Sequence, residues 1–122
     1  MKEKDTFRRD LLRGSLDLMV LSVLAEGPKY GYLVQRKLRE AGGGGLEIQA
    51  GTLYPLLHRL EADGLIDSRW DETTGRRRKW YDLTAKGRRQ LEKQAREWQR
   101  YADCIGRLLT PVVGPPPSPA NS

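Results

Sequence analysis

The chain is poor in the residues that carry most covalent and metal chemistry. It has one cysteine, Cys104, one histidine, His58, and one phenylalanine in 122 residues. A lone cysteine excludes an internal disulfide and a thiolate-based metal site. No paired acids, nucleophile–base set or metal-ligating cluster can be assembled around the lone histidine. The expectation is therefore no catalytic residue, no metal, no cofactor and no enzyme. No apolar run approaches the ~20 residues of a membrane span. Met1-Lys2-Glu3-Lys4-Asp5 opens on mixed charge rather than on an apolar export core, so a cytoplasmic location is expected.

What the chain does have is basic charge. The net charge is +6 and the pI about 9.7, which suits an anionic partner. Charge alone does not choose between duplex DNA, RNA and an anionic membrane surface. The length supports one domain with a modest core.

The segment 50–83 narrows the choice. Leu53, Leu56, Leu57 and Leu60 recur at i, i+3, i+4 and i+7, the buried stripe of a helix that ends at Asp63-Gly64. Gly51, Tyr54, Pro55, His58 and Arg59 are left on the opposite side. Two β-prone runs follow, Leu65–Trp70 and Lys79–Leu83, separated by a turn and by Arg76-Arg77-Arg78-Lys79. An outward helix beside a cationic hairpin is the layout of a winged helix-turn-helix. Its helix enters the major groove of duplex DNA and its hairpin reaches the adjacent backbone.

The remaining elements follow from the same patterning. A first helix runs from near Arg9 to Glu26-Gly27-Pro28. It is apolar nearly all round between Leu16 and Ala25, which asks for cover on more than one side, some of it from a partner subunit. A second helix spans about Tyr30–Glu40. Gly42-Gly43-Gly44-Gly45 is a loop, not a phosphate loop, because the Gly-Lys-Ser/Thr spacing is missing. Leu46-Glu47-Ile48 reads as a short extended segment. Thr84 caps a last helix reaching about Leu109, in which Leu91, Ala95, Trp98, Ala102, Ile105 and Leu109 step by 4, 3, 4, 3 and 4. That is a heptad seam and predicts a homodimer. The bland alternative packs the stripe on the chain's own domain. Beyond Thr110, Pro111 and the proline-rich run after it are expected to stay disordered. The expected organisation is an N-terminal arm over 1–9, a winged-helix domain over 10–83, a dimerisation helix over 84–109 and a tail over 110–122. The fold class is mainly α with a small β-hairpin.

Leu11–Asp17, Leu24–Tyr32, Gly51–Glu61, Asp63–Ile66 and Gly75–Gly87 then resemble, in order and spacing, the PadR family of bacterial transcriptional regulators. The resemblance covers about residues 10–105, and Thr-Leu-Tyr-Pro-Leu-Leu followed by the Gly-Arg-Arg-Arg-Lys wing is specific to it. It implies a winged helix, a C-terminal dimerisation helix of the short branch, and repression relieved by a small molecule.

The candidate DNA contacts are Tyr32, Gly51, Thr52, Tyr54, Pro55, His58, Arg59, Arg76, Arg77, Arg78 and Lys79. Several carry a second reading. Gly51 admits phosphate near a helix N-terminus or serves as the N-cap. Pro55 offers a flat apolar surface or shapes the helix start, where its missing N–H costs little. Arg59 meets DNA or bridges to Glu61 or Asp63. Tyr54 projects from the leucine stripe, so a phosphate or base contact is preferred to core packing. Trp80 and Tyr81 are expected to anchor their strand in the core. Trp98 reads first as a packed dimer contact; because an indole is large for a tight seam beside Ala95 and Ala102, the second reading is a slot for an aromatic or drug-like effector, bounded also by Leu18. The dimer interface is assigned to Leu16, Leu91, Ala95, Trp98, Ala102, Ile105 and Leu109. The competing function is a non-enzymatic winged-helix module that binds protein and reads no DNA sequence.

Overall fold

The computed structural model describes residues 15–43, 47–73 and 75–115. The expected N-terminal arm, the start of the first helix and the tail from residue 116 lie outside them. In chain order the elements are α1 (Leu16–Ala25), β1 (Lys29–Tyr30), α2 (Gly31–Ala41), α3 (Ala50–Ala62), β2 (Ile66–Asp71), β3 (Arg78–Leu83) and α4 (Ala85–Val113). The chain divides into two compact units, at Leu91 and Glu92.

In the first unit the core is aliphatic. Val20, Leu21 and Leu24 of α1, Val34 and Leu38 of α2, the four leucines of α3, Ile66 and Tyr81 are all buried together. The leucine stripe of α3 therefore falls where its period places it. Much of α1 is covered by its own chain: Leu16, Val20, Leu21, Val23 and Leu24 are buried, while Leu18 and Met19 are half-buried. Leu16 belongs to this core and has little surface left for a partner, which corrects its assignment to the dimer face. Leu91 likewise packs against the core, so the start of the heptad stripe follows the bland alternative.

The sheet has three antiparallel strands in the order β1-β3-β2. β2 and β3 pair from Ile66 with Leu83 to Asp71 with Arg78, as the hairpin reading requires. The two-residue β1 is an addition, pairing Lys29 with Tyr81 and Tyr30 with Trp80. Successive strand residues face opposite ways, so Trp80 and Tyr81 cannot both enter the core. Tyr81 does, at 2 % exposure. Trp80 lies on the other face, edge-on to Tyr30 with ring centroids 5.3 Å apart, which corrects its expected role.

Two polar joints hold the corners. Lys29 is buried and donates to the carbonyls of Val23 (3.0 Å) and Gly27 (3.3 Å), satisfying acceptors at the end of α1. At the start of α4, Thr84 Oγ1 accepts the Gly87 N–H at 2.9 Å and donates to the Gly64 carbonyl at 2.7 Å, the capping role expected of it. Lys86 donates to the carbonyl of Asp63 at 2.8 Å. A Cβ on Gly87 would run into the Leu65 carbonyl.

In the second unit α4 carries a run of exposed apolar side chains: Trp98, Tyr101, Ile105, Leu108, Leu109, Val112 and Val113. The helix continues through Pro111 to Val113, past the expected end at about Leu109. Proline removes one backbone hydrogen bond inside a helix; here the bond lost is that to the carbonyl of Arg107, an exposed residue whose carbonyl water can serve.

Candidate nucleic-acid interface

With its four leucines buried, α3 turns Gly51, Thr52, Pro55, His58 and Arg59 to solvent. Its N-cap is Gln49, whose carbonyl accepts the N–H groups of Thr52 and Leu53 at 2.9 Å, so Gly51 is not the cap. A Cβ built on Gly51 meets nothing within 4 Å, and its φ is not in the left-handed region. Nothing among the described residues requires glycine at this position. Pro55 is the sixth helical residue, beyond the first turn, so its missing N–H does remove a bond, that to the Gly51 carbonyl four residues earlier. The exposed start of α3 thus combines a bare Cα with an underused carbonyl.

Tyr54 departs from expectation. It is half-buried and packed against the core, with its ring lying over Gly31: a Cβ on Gly31 would come within 2.5 Å of the Tyr54 hydroxyl oxygen. Gly31 opens α2, so Tyr54 joins the two helices of the helix-turn-helix and also lines the cleft described below. Arg59 departs as well. Its guanidinium makes a two-pronged bond to Asp17 of α1, at 2.7 and 3.1 Å, rather than to Glu61 or Asp63. The hydrogen bond to Asp17 raises the Arg59 pKa, against a smaller effect of burial.

The wing is built on β2 and β3. Asp71 Oδ1 accepts the Thr73 N–H at 2.9 Å, a turn-forming bond that holds the Asp71 carboxyl below its usual range. Beyond the turn the cations are propped on aromatic rings. Arg77 lies 4.1 Å from the Trp70 ring centre and Arg78 4.6 Å from that of Tyr30. Lys79 sits 5.8 Å from Trp70 and 5.7 Å from Tyr81. Such contacts hold a cation in place without neutralising it. Lys79 and Arg77 also have carboxylate neighbours, Glu61 at 3.7 Å and Glu72 at 3.8 Å. Among the described residues Arg76 and Arg78 form no ion pair.

Together these elements enclose a cleft of about 550 Å³ lined by Tyr30, Gly31, Tyr32, Tyr54, Trp70, Arg76, Arg77, Arg78, Lys79 and Tyr81. Six of the candidate DNA contacts therefore meet in one place. Gly51, Thr52, Pro55 and His58 form a separate exposed face on α3, and Arg59 is turned to Asp17. Tyr30, Trp70 and Tyr81 are cleft residues that the sequence pattern did not assign. Strand alternation was the available signal for two of them, since it puts Trp70 and Tyr81 on the same face as Lys79. Of the residues expected to form an effector slot, Trp98 and Ala102 are exposed and Leu18 and Ala95 half-buried.

The family model described as the transcriptional regulator PadR-like family matches residues 20–93. The transcriptional regulator Rv3488 of Mycobacterium tuberculosis is 35% identical over 94 residues, covering 77% of this chain and 85% of that protein. Among solved structures, a PadR family transcriptional regulator from Eggerthella lenta superposes with a TM-score of 0.76 at 39% identity, covering 88% of this chain and 93% of that one. A transcriptional regulator from Clostridium thermocellum gives 0.74 at 34% identity, covering 80% and 96%.

Proposed function

The chain belongs to the PadR-like family of transcriptional regulators, and from that premise we propose that it acts as a homodimeric, sequence-specific repressor of transcription, released from DNA by a small-molecule effector. It is a regulator, not an enzyme. The observation that carries the DNA reading is the start of α3. Gly51 has open space where a side chain would stand, in an exposed first turn where free N–H groups favour an anion. Thr52, Pro55 and His58 share that exposed face. The wing supplies the long-range attraction, and α3 the sequence preference.

Dimerisation is supported by α4. Trp98, Tyr101, Ile105, Leu108 and Val112 step by 3, 4, 3 and 4 and are all solvent-exposed in the single chain. An apolar stripe with a heptad period is unstable in water and is relieved by a second copy of the same helix. Tyr101, Leu108 and Val112 join Trp98, Ile105 and Leu109 on that face, with Ala95 and Ala102 as the small residues beside Trp98. Two copies would enter major grooves about 34–36 Å apart, so the operator has dyad symmetry. The effector slot is proposed at Trp98, Ala95 and Ala102. No helix among the described residues is long and apolar enough to cross a membrane, in keeping with a regulator working in the cytoplasm.

The test is footprinting on the DNA upstream of the protein's own gene, with anisotropy titrations against that site and against a shuffled duplex. Protection of two half-sites one turn apart, with at least a hundredfold preference over the shuffled duplex, is expected. Equal affinity for both duplexes would favour the competing reading, a winged-helix module that binds protein and reads no sequence.

A further inference from the structure

Glu61 is an acid at the foot of a wing whose other end carries consecutive cations. It stands in the last turn of α3, where the helix dipole disfavours a negative charge. Its field also opposes the attraction of the wing for phosphate. The geometry around it offsets both costs. Oε2 accepts the hydroxyl of Ser68 on β2, and Oε1 lies 3.7 Å from the Lys79 ammonium on β3. One carboxylate therefore ties the end of α3 to both strands of the wing. The Lys79 side chain is 27 % exposed and that of Glu61 35 %, and the rings of Trp70 and Tyr81 lie 5.8 and 5.7 Å from the ammonium. Lys79 cannot swing outward without giving up all three neighbours. Arg77 has an acid neighbour too, Glu72 at 3.8 Å, but those side chains are 61 % and 72 % exposed, so water and salt screen that pair.

We propose that Glu61 is a positioning residue with two separable effects on DNA binding. Its charge withholds Lys79 from the phosphates, which holds down the affinity for every duplex alike. Its bond to Ser68 fixes the angle between the wing and α3, which sharpens the preference for the operator. The first effect follows because phosphate contacts are indifferent to sequence and act through the net charge presented to the backbone. The second follows because backbone contacts set the register in which a helix meets base edges. A wing that pivots on the helix loses that register. Both effects rest on the reading of α3 and the wing as the duplex contact. The competing explanation is that Glu61 only closes the corner between α3 and β2, in which case its charge is immaterial to DNA.

The experiment compares the full wild-type chain with Glu61→Gln, Ser68→Ala and the double variant Glu61→Gln, Lys79→Ala. Each is titrated by fluorescence anisotropy on the operator and on a shuffled duplex, across roughly 50–200 mM salt. Glutamine keeps an acceptor for the Ser68 hydroxyl and removes the charge. Glu61→Gln should bind both duplexes more tightly at low salt, with the operator preference unchanged. Its salt dependence should steepen by about 0.9 in slope, one further phosphate neutralised. Adding Lys79→Ala should return the slope to the wild-type value. Ser68→Ala should leave the slope alone and narrow the operator preference by about fivefold, the order of one hydrogen bond. Circular dichroism checks that every variant is folded. An unchanged slope in Glu61→Gln, or a steeper one that survives Lys79→Ala, overturns the charge effect in favour of the corner explanation. Equal losses on both duplexes in Ser68→Ala overturn the effect on angle. A wild type with no affinity for any duplex overturns the DNA reading and this proposal together, whereas a wild type that prefers its operator leaves that reading standing whatever the variants do.

Discussion

Alanine at position 51 should strengthen the fold and weaken DNA binding in the same molecule. Gly51 is the second helical residue of α3, exposed, with nothing within 4 Å of an added Cβ. Glycine within a helix costs roughly 0.5–1 kcal/mol relative to alanine. The lower end of that range, about 0.5 kcal/mol, applies in a first turn. For a domain of this size each kcal/mol moves Tm by about 4–8 °C, so Gly51→Ala should raise Tm by roughly 2–4 °C. Binding goes the other way. A methyl group where a phosphate approaches the backbone amides lengthens a hydrogen bond to a charged acceptor, which is worth about 1.5–3 kcal/mol. That corresponds to roughly a ten- to hundredfold rise in Kd. Thermal unfolding followed by circular dichroism gives the first quantity and anisotropy titration on the operator the second. A more stable variant with unchanged affinity would refute the close approach of DNA to this turn. A less stable one would refute the open space at residue 51.

The other predictions concern separate parts of the molecule. Replacing Arg76, Arg77 and Lys79 together with alanine should weaken binding to every sequence and flatten its salt dependence, by about 0.9 in slope for each phosphate no longer neutralised; an unchanged slope would remove the wing from the interface. His58→Ala should cost operator binding about 1–3 kcal/mol if it meets a base edge and leave shuffled DNA untouched, so equal losses on both would make it a backbone contact. Ile105→Glu with Leu108→Glu should turn a dimer into a monomer in sedimentation equilibrium, leaving the leucine core of the first unit folded; a dimer that survives both charges would move the interface elsewhere. Burial raises the Tyr81 pKa above its ordinary 10.0, with Tyr54 and Glu61 adding to it. The fold therefore favours the neutral phenol, and that stabilisation, present below about pH 10, is lost as pH climbs through the raised value. Denaturant titrations from pH 8 to 11.5 should show the decline, and Tyr81→Phe should abolish this part of it.

Period and charge made α3 and the wing legible, because each rests on a pattern local in sequence. The leucines of α3 had to share a face at their spacing, and four consecutive cations after a turn had to stand at a hairpin tip. The departures come from pairings between distant segments. Arg59 finds Asp17, 42 residues earlier, and no local pattern encodes that partner. Tyr54 settles on Gly31 because that glycine has no side chain to keep it away, a fact about two helices rather than one. The two residues of β1 are too few for any alternation to register. Trp80 was recoverable, since Tyr81 beside it already occupied the inward face.

The root of α4 works as a rigid coupling. Thr84, Lys86 and Gly87 are bonded or pressed against Asp63, Gly64 and Leu65, the three residues that directly follow α3. Glycine at 87 lets the helix sit in van der Waals contact with that segment's backbone, with no cushion of side chains to absorb a tilt. A twist imposed on the first turn of α4 would therefore be passed directly to the segment that ends α3. A slack loop at this joint would absorb the same twist in its own backbone torsions; here it would turn α3, the helix proposed to meet a groove.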